Sequence, residues 1–405
     1  MLIQALKYLF VNRIAVVIAV LFIFTAEILR VYLVMPYPGS QIIDTVTYAY
    51  WLNNHIIWVR LLALAIVFMV FIHIIRKGRL WEKLLFALIL IGYTVVFFYF
   101  NFRLQADEIF RQPANKSFIS GQQSLDKSKL VIGIEINGEA KAYPIQLIGY
   151  HHQVMDTIGN TPVMITYCTV CRTGRAFSPI VNGKLSLFRL IGMDHFNAVF
   201  EDESTGSWWR QATGVAITGP LKGSKLKEFP STQLTLYSWL RQYPASLIML
   251  PDSLYNDRYF RLEDYDKGTM QSALVKRDIF SWNPKSWIIG VSHNHTSKAY
   301  DWNQLVENRI IQDSLGDLPL LLTIENDSIS FHAYDRRVNG AVLQFQHEVK
   351  NNQLIDGNTK SVWNMDGICI EGLLKGEKLV RVQAYNEFWH SWQMFQKNAE
   401  AHKAN

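Results

Sequence analysis

Hydrophobic positions follow two regimes along this chain. Up to about residue 104 they come in long unbroken runs, and beyond about residue 130 they alternate with polar positions in short stretches. Three runs, 14–35, 56–75 and 84–102, are each long enough for a helix that crosses ~30 Å of hydrocarbon at about 1.5 Å per residue. The first does not read as a cleavable signal peptide, since it is too long, carries Glu27 and Arg30, and lacks a small-residue cleavage site. Charges inside hydrocarbon are costly, so Glu27 is expected to pair with Arg30 or Arg60 while the arginines reach toward the interface.

The second regime predicts strands and tight turns. Residues 131–136 and 141–145 flank Asn137-Gly138, a strong hairpin signal, and 175–181 and 184–190 flank Asn182-Gly183. Residues 146–158 have apolar spacing that suits a short helix, 162–167 form an apolar strand ending in Cys168, 198–200 a short strand, and 234–242 a helix with Trp239 facing inward. The expected organisation is a membrane anchor (1–104), a polar linker (105–129), a first module (130–251), a connector (252–286) and a second module (287–398).

The second module repeats the first. Residues 131–188 and 288–345 align without a gap, matching Gly133 with Gly290, Ala142-Tyr143 with Ala299-Tyr300, Asp156 with Asp313 and Asn182-Gly183 with Asn339-Gly340. Further on, Trp209 meets Trp363 and Trp239 meets Trp392. The expected fold class is therefore α+β: three N-terminal transmembrane helices followed by two tandem, internally duplicated, strand-rich modules that pack together. The pairs that fail to match are the reactive ones. His151 and His152 face Asn308 and Arg309, and Cys168 and Cys171 face Glu325 and Ser328.

Charge adds an orientation. Lys7 and Arg13 precede the first run, and Arg76, Lys77, Arg79 and Lys83 crowd the loop between the second and third, whereas residues 36–54 contain no Lys or Arg. The positive-inside rule puts the N-terminus in the cytoplasm and both modules outside, in the periplasm of a Gram-negative cell. The lipid bilayer is the expected partner. A net charge of +6, with no basic block interleaved with aromatics, argues against nucleic acid. Three cysteines do not make a disulfide-rich scaffold.

Two thiols and two imidazoles in one small module point to a metal site of His151, His152, Cys168 and Cys171, taking copper or zinc, with Asp194 and His195 as additional candidates. The alternative is thiol–disulfide exchange through Cys168 and Cys171, with Arg172 lowering a thiol pKa. A third reading is a non-catalytic structural or binding module in which these side chains pack or cap. No histidine follows Cys171 directly, which excludes a c-type haem. His293-Asn294-His295 aligns with a hairpin tip and reads as an exposed turn. Trp209 has a counterpart in Trp363 and reads as core. Phosphate-loop, nucleophile-elbow and paired-carboxylate signatures are missing.

The run Ala142-Tyr143-Pro144, His151, Val154, Asp156, Gly159, Pro162-Val163 and Thr166-Tyr167-Cys168-x-x-Cys171 resembles a bacterial and archaeal family known as domain of unknown function 3179. Asp202, Thr205, Ser207, Trp209, Gln211, Gly214, Ala216-Ile217 and Gly219 are similar to it as well. The resemblance covers residues 130–395 and implies a fold and an arrangement rather than an activity. The chain departs from the family pattern at Cys168-Thr-Val-Cys171, where Cys-Pro-x-Cys is expected, at Val154-Met155-Asp156, where Val-Asn-Asp is expected, and at Asp194-His195-Phe196, where a Tyr-Asn-Ser type sequence is usual.

Overall fold

The computed structural model describes residues 2–121, 126–396 and 398–403. The chain forms two compact units. One is Met1–Arg111 with Phe188–Arg210 and Val215–Ser224; the other is Gln112–Leu187 with Gln211–Gly214 and Lys225–Asn405.

The first unit contains helices α1 (Leu2–Tyr32), α2 (Val46–Lys77) and α3 (Leu80–Phe102). Among the described residues two of them, α2 and α3, are long and apolar enough to cross a membrane, against the three crossings expected. The run 14–35 is helical too, but the side chains of residues 2–13 lie outside the described residues. Trp58 and Leu62 of α2 and Leu88 and Ile91 of α3 are more than half exposed, as an oil-facing surface requires. Glu27 is buried between the helices and held by Arg60, with Nε to Oε1 at 2.6 Å and Nη2 to Oε2 at 2.7 Å. Tyr93 and the Asn101 amide complete its shell at 3.1 Å each, while Arg30 donates to Asn53 and Asn101. Paired charges of this kind avoid most of the insertion cost.

A four-stranded antiparallel sheet belongs to this same unit: Phe188–Asp194, Asn197–Asp202, Trp208–Arg210 and Ala216–Thr218. Trp208 meets Tyr50 of α2 edge-on at 5.3 Å and packs with Ala49 and Val199, and Met193 N–H donates to Val34 O at 2.6 Å.

The second unit is built mostly from sheets. Phe118–Ser120, Leu247–Met249, Glu139–Pro144, Leu130–Ile136 and Thr232–Thr235 form one in that order. Glu228–Phe229, Thr173–Phe177, Thr161–Cys168 and Gln153–Ile158 form another. The later half shows the same orders, except that the described residues hold no counterpart of Phe118–Ser120: Ala399–Ala401, Thr296–Asp301, Trp287–His293 and Ala384–Phe388 in one sheet, and Val380–Arg381, Phe331–Asp335, Leu318–Ile324 and Ile310–Leu315 in the next. The hairpin turns follow from sequence. Asn137-Gly138, Asn182-Gly183 and Asn339-Gly340 all carry positive φ at both residues, the two-residue turn that matches strand twist.

The expected helix over 146–158 is shorter than its spacing suggested. It spans Ile145–His151 and stops because His152 turns left-handed (φ 62°), its N–H still bonded to Ile148 O. Gln153–Ile158 is instead a strand paired with Thr161–Cys168. The local apolar spacing fits either element, and cross-strand pairing decides it. The later helix Leu236–Gln242 is as expected, with Thr235 capping it by accepting from Ser238 N–H and Trp239 buried.

Gly133 lets that tryptophan approach the sheet, since a Cβ there would sit 2.2 Å from Trp239 Cε3. Gly290 and Trp392 repeat the contact at 2.2 Å to Cζ3. Gly133→Ala is expected to overpack the core and cost about 1–3 kcal/mol, read as a lower urea midpoint for the full chain in detergent. An unchanged midpoint would mean that the helix can simply slide away.

Candidate site: a buried dithiol between the two halves

Strand Thr161–Cys168 delivers Cys168 into the interior, and the loop 169–172 turns back so that Cys171 joins it. Both are fully buried thiols. Burial pushes the Cys171 thiol well up, and hydrogen bonding with Cys168 adds to this. The loop closes through Arg172, which has a left-handed backbone (φ 58°). Its guanidinium lies 3.6 Å over the Trp287 ring and donates to Asn386 Oδ1 at 2.7 Å. Arg172 was expected to lower a thiol pKa; in the structure its charge is directed toward Trp287 and Asn386.

The surroundings of the thiols come from the later half and the connector before it. Phe388 N–H donates to Cys171 O at 2.8 Å, anchoring the strand Ala384–Phe388 and the helix Trp389–Phe395 against the loop. Ser391 on that helix bonds to Cys171 and donates to Glu387 Oε1 at 2.5 Å. Glu387 is fully buried, which pushes its carboxyl up, although Arg175 lies 3.2 Å away. Lys285 donates from Nζ to Val170 O at 2.8 Å, with His390 Nε2 at 3.1 Å. Burial brings the Lys285 ammonium down to about 8, partly offset by the two thiols beside it. Burial and Lys285 together bring His390 down to about 4. Lys285, Glu387, His390 and Ser391 were not anticipated from sequence. One signal was available, because Glu387 is a charged residue at the position that Leu234 fills in the earlier half.

The histidines have other partners. His151 Nε2 lies 2.6 Å from the Tyr259 hydroxyl, and its ring packs among Tyr150, Tyr255 and Tyr259. His152 Nδ1 sits 3.1 Å from Tyr150 O, and burial brings its pKa down to about 4. Asp194 and His195 belong to the first unit, where Asp194 bridges His195 Nδ1 at 2.8 Å and Arg210 at 2.5 Å. Asn294 and His295 form the exposed tip of a hairpin that closes at the His293–Thr296 pair, as read from sequence. Among the described residues, no group of three or more His, Cys, Asp and Glu is gathered as a multi-ligand metal site.

The loop of the later half that aligns with it in sequence has different chemistry. Glu325 stands where Cys168 does, buried and bound by Arg241 through two bonds of 2.7 and 2.8 Å and by His332 at 2.8 Å. These partners hold its carboxyl well below the usual range. Asp202 and Asp356 are likewise equivalent. Each accepts from the following Thr and Ser and from a tryptophan indole, Trp209 at 2.8 Å and Trp363 at 3.1 Å. Asp202, Thr205, Ser207 and Trp209 are thus turn-forming residues.

What emerges is an α+β protein with two apolar N-terminal helices and a buried dithiol in its strand-rich part. Residues 109–399 match the family described as protein of unknown function DUF3179, and the chain belongs to that family. No curated protein and no solved structure matches the chain.

Proposed function

We propose that this is a membrane-anchored, extracytoplasmic protein whose first module binds a soft metal, Cu(I), through Cys168 and Cys171. The N-terminus is cytoplasmic, the basic cluster at Arg76, Lys77, Arg79 and Lys83 stays inside, and the modules are outside. The two halves are copies of one module, a reading supported by their shared element order. One copy keeps the thiols and its twin holds a fixed ion pair.

The observation that carries the metal reading is the environment of the pair: two free thiols within hydrogen-bond reach of each other, sealed from water, beside the Lys285 ammonium. Thiolates favour Cu(I) among soft ions. Two thiolates and one Cu(I) carry a net negative charge, which Lys285 offsets. A bound cation also reverses the burial penalty on the thiols by deprotonating them. Structural zinc normally takes four ligands, and the described residues gather no such set. His151 and His152, part of the four-residue site expected from sequence, take a supporting role in this reading, with His151 Nε2 at the Tyr259 hydroxyl and His152 Nδ1 at Tyr150 O.

The full chain, purified in detergent under reducing, copper-replete conditions, is expected to contain near-stoichiometric copper by elemental analysis. Cys168→Ser with Cys171→Ser should remove it, and His151→Phe should not. Zinc in place of copper would overturn the choice of ion. A metal-free protein with both thiols titratable would overturn metal binding altogether. A metal-free protein with a Cys168–Cys171 disulfide would favour the thiol–disulfide reading instead.

A further inference from the structure

The two halves of the second unit meet along the strands Thr232–Thr235 and Ala384–Phe388. Ser231 N–H donates to Gln383 Oε1 and Gln383 Nε2 donates to Ser231 O, both at 3.1 Å, pinning the seam. On one side the space beside the seam is filled. The Arg175 guanidinium lies 3.2 Å over the Tyr385 ring and bridges Glu387 and Glu228 at 3.2 and 3.7 Å, while the Tyr385 hydroxyl donates to Glu228 at 2.8 Å.

Strand register identifies the equivalent positions on the other side. Thr232 pairs with Gly133 as Tyr385 pairs with Gly290. His332 pairs with Thr323 as Arg175 pairs with Thr166, and Arg381 pairs with Tyr334 as Glu228 pairs with Phe177. Threonine and histidine cannot fill the volume of tyrosine and arginine. A cleft of about 300 Å³ opens there, with Trp239, Tyr243 and Tyr334 among its walls. That volume is at the lower end of small-molecule sites.

Two polar atoms at the cleft lack partners. His332 is 3% exposed, and its Nδ1 and the Thr232 Oγ1 are buried without a hydrogen bond. Buried polar atoms are almost always paired, so each such atom asks for an explanation. The His332 ring is fixed, because its Nε2 lies 2.8 Å from Glu325, itself clamped by Arg241. A carboxylate at Nε2 keeps the proton there and leaves a lone pair on Nδ1, which therefore calls for an O–H or N–H from outside the chain. Trp239 and Tyr243, with ring centroids 4.3 Å apart, supply an aromatic wall. Arg381, exposed and stacked near the Tyr334 ring at 5.8 Å, supplies a cation.

We propose that this cleft binds a small aromatic acid bearing a hydroxyl. The hydroxyl donates to His332 Nδ1 and accepts from Thr232, the ring lies against Trp239 and Tyr243, and the carboxylate faces Arg381. The test is calorimetric titration of the full chain in detergent with 4-hydroxybenzoate, benzoate and 4-hydroxybenzyl alcohol. Saturable binding of 4-hydroxybenzoate is expected, roughly tenfold or more weaker for benzoate, which lacks the donor, and for the alcohol, which lacks the charge. His332→Phe should abolish binding. Thr232→Val leaves the Glu325 cluster intact and should weaken it several-fold. Cys168→Ser with Cys171→Ser should leave it unchanged, which separates this site from the dithiol. Absence of saturable binding, equal affinity for 4-hydroxybenzoate and benzoate, or equal affinity in wild type and Thr232→Val would overturn the proposal.

Discussion

Arg241→Ala is expected to destabilise the protein by about 1–3 kcal/mol, less than the loss of a partner from a fully buried ion pair, because Arg241 itself is partly open to water. Arg241 makes two bonds to Glu325 and two to Asp366, and Glu325 has almost no access to water. Truncation strands the Glu325 charge between the two halves, with His332 and the Asn352 amide as its remaining side-chain partners. Guanidinium unfolding of the full chain, followed by tryptophan fluorescence, reads the loss as a lower midpoint. Glu325→Gln placed on Arg241→Ala should recover part of it, because the stranded charge is then gone. A cost below about 1 kcal/mol would mean that water or His332 already carries this carboxylate, and that the cluster is not what locks the halves together.

Mild acid is expected to weaken the same unit. His152 and His390 are each brought from 6.5 down to about 4. The unfolded chain therefore takes up their protons first as pH falls. Their contribution is complete above about pH 6.5 and declines toward pH 4, with a limit of about 3 kcal/mol for each residue. Glu325 has the same sign but a lower window, since its depressed carboxyl contributes above 4.5 and loses that contribution only as pH falls further. Glu387 has the opposite sign, because its raised carboxyl costs stability as pH rises past 4.5, so unfolding midpoints at about pH 7.5 and 5 read the two histidines net of Glu387. His152→Asn is the informative variant, because asparagine tolerates the left-handed backbone at that position and does not titrate. It should flatten the slope without shifting the midpoint at pH 7.5 by much. A slope that His152→Asn leaves unchanged would show that this imidazole is already open to water.

Local chemistry was legible wherever it alone decides the structure. Asn137-Gly138 and Asn182-Gly183 mark hairpins because few other pairs accept positive φ at consecutive positions. The apolar run ending in Cys168 is a fully buried strand, and Trp239 faces inward from its helix. The pairing of Glu27 with Arg60 follows from the cost of lone charges among apolar helices. Residues 153–158 were misjudged because their apolar spacing suits a helix, and only the partner strand Thr161–Cys168 makes them extended. The direction of Arg172 was out of reach for a similar reason. Its proximity in sequence to Cys171 says nothing about direction, and the left-handed turn at Arg172 sends the guanidinium to Trp287 and Asn386.

By itself the sequence determined which stretches are oily, where the chain reverses, and that the Cys-x-x-Cys pair and the adjacent histidines occur in one half only. Tertiary structure decided their company. Glu387, His390 and Ser391 reach the thiols from the other half and Lys285 from the connector, across as many as 220 positions between Val170 and His390. His151, from the same half as the thiols, meets the Tyr259 hydroxyl 108 positions away. Such neighbours depend on strand register and on how two sheets dock, and these are settled by packing summed over many residues rather than by any local motif.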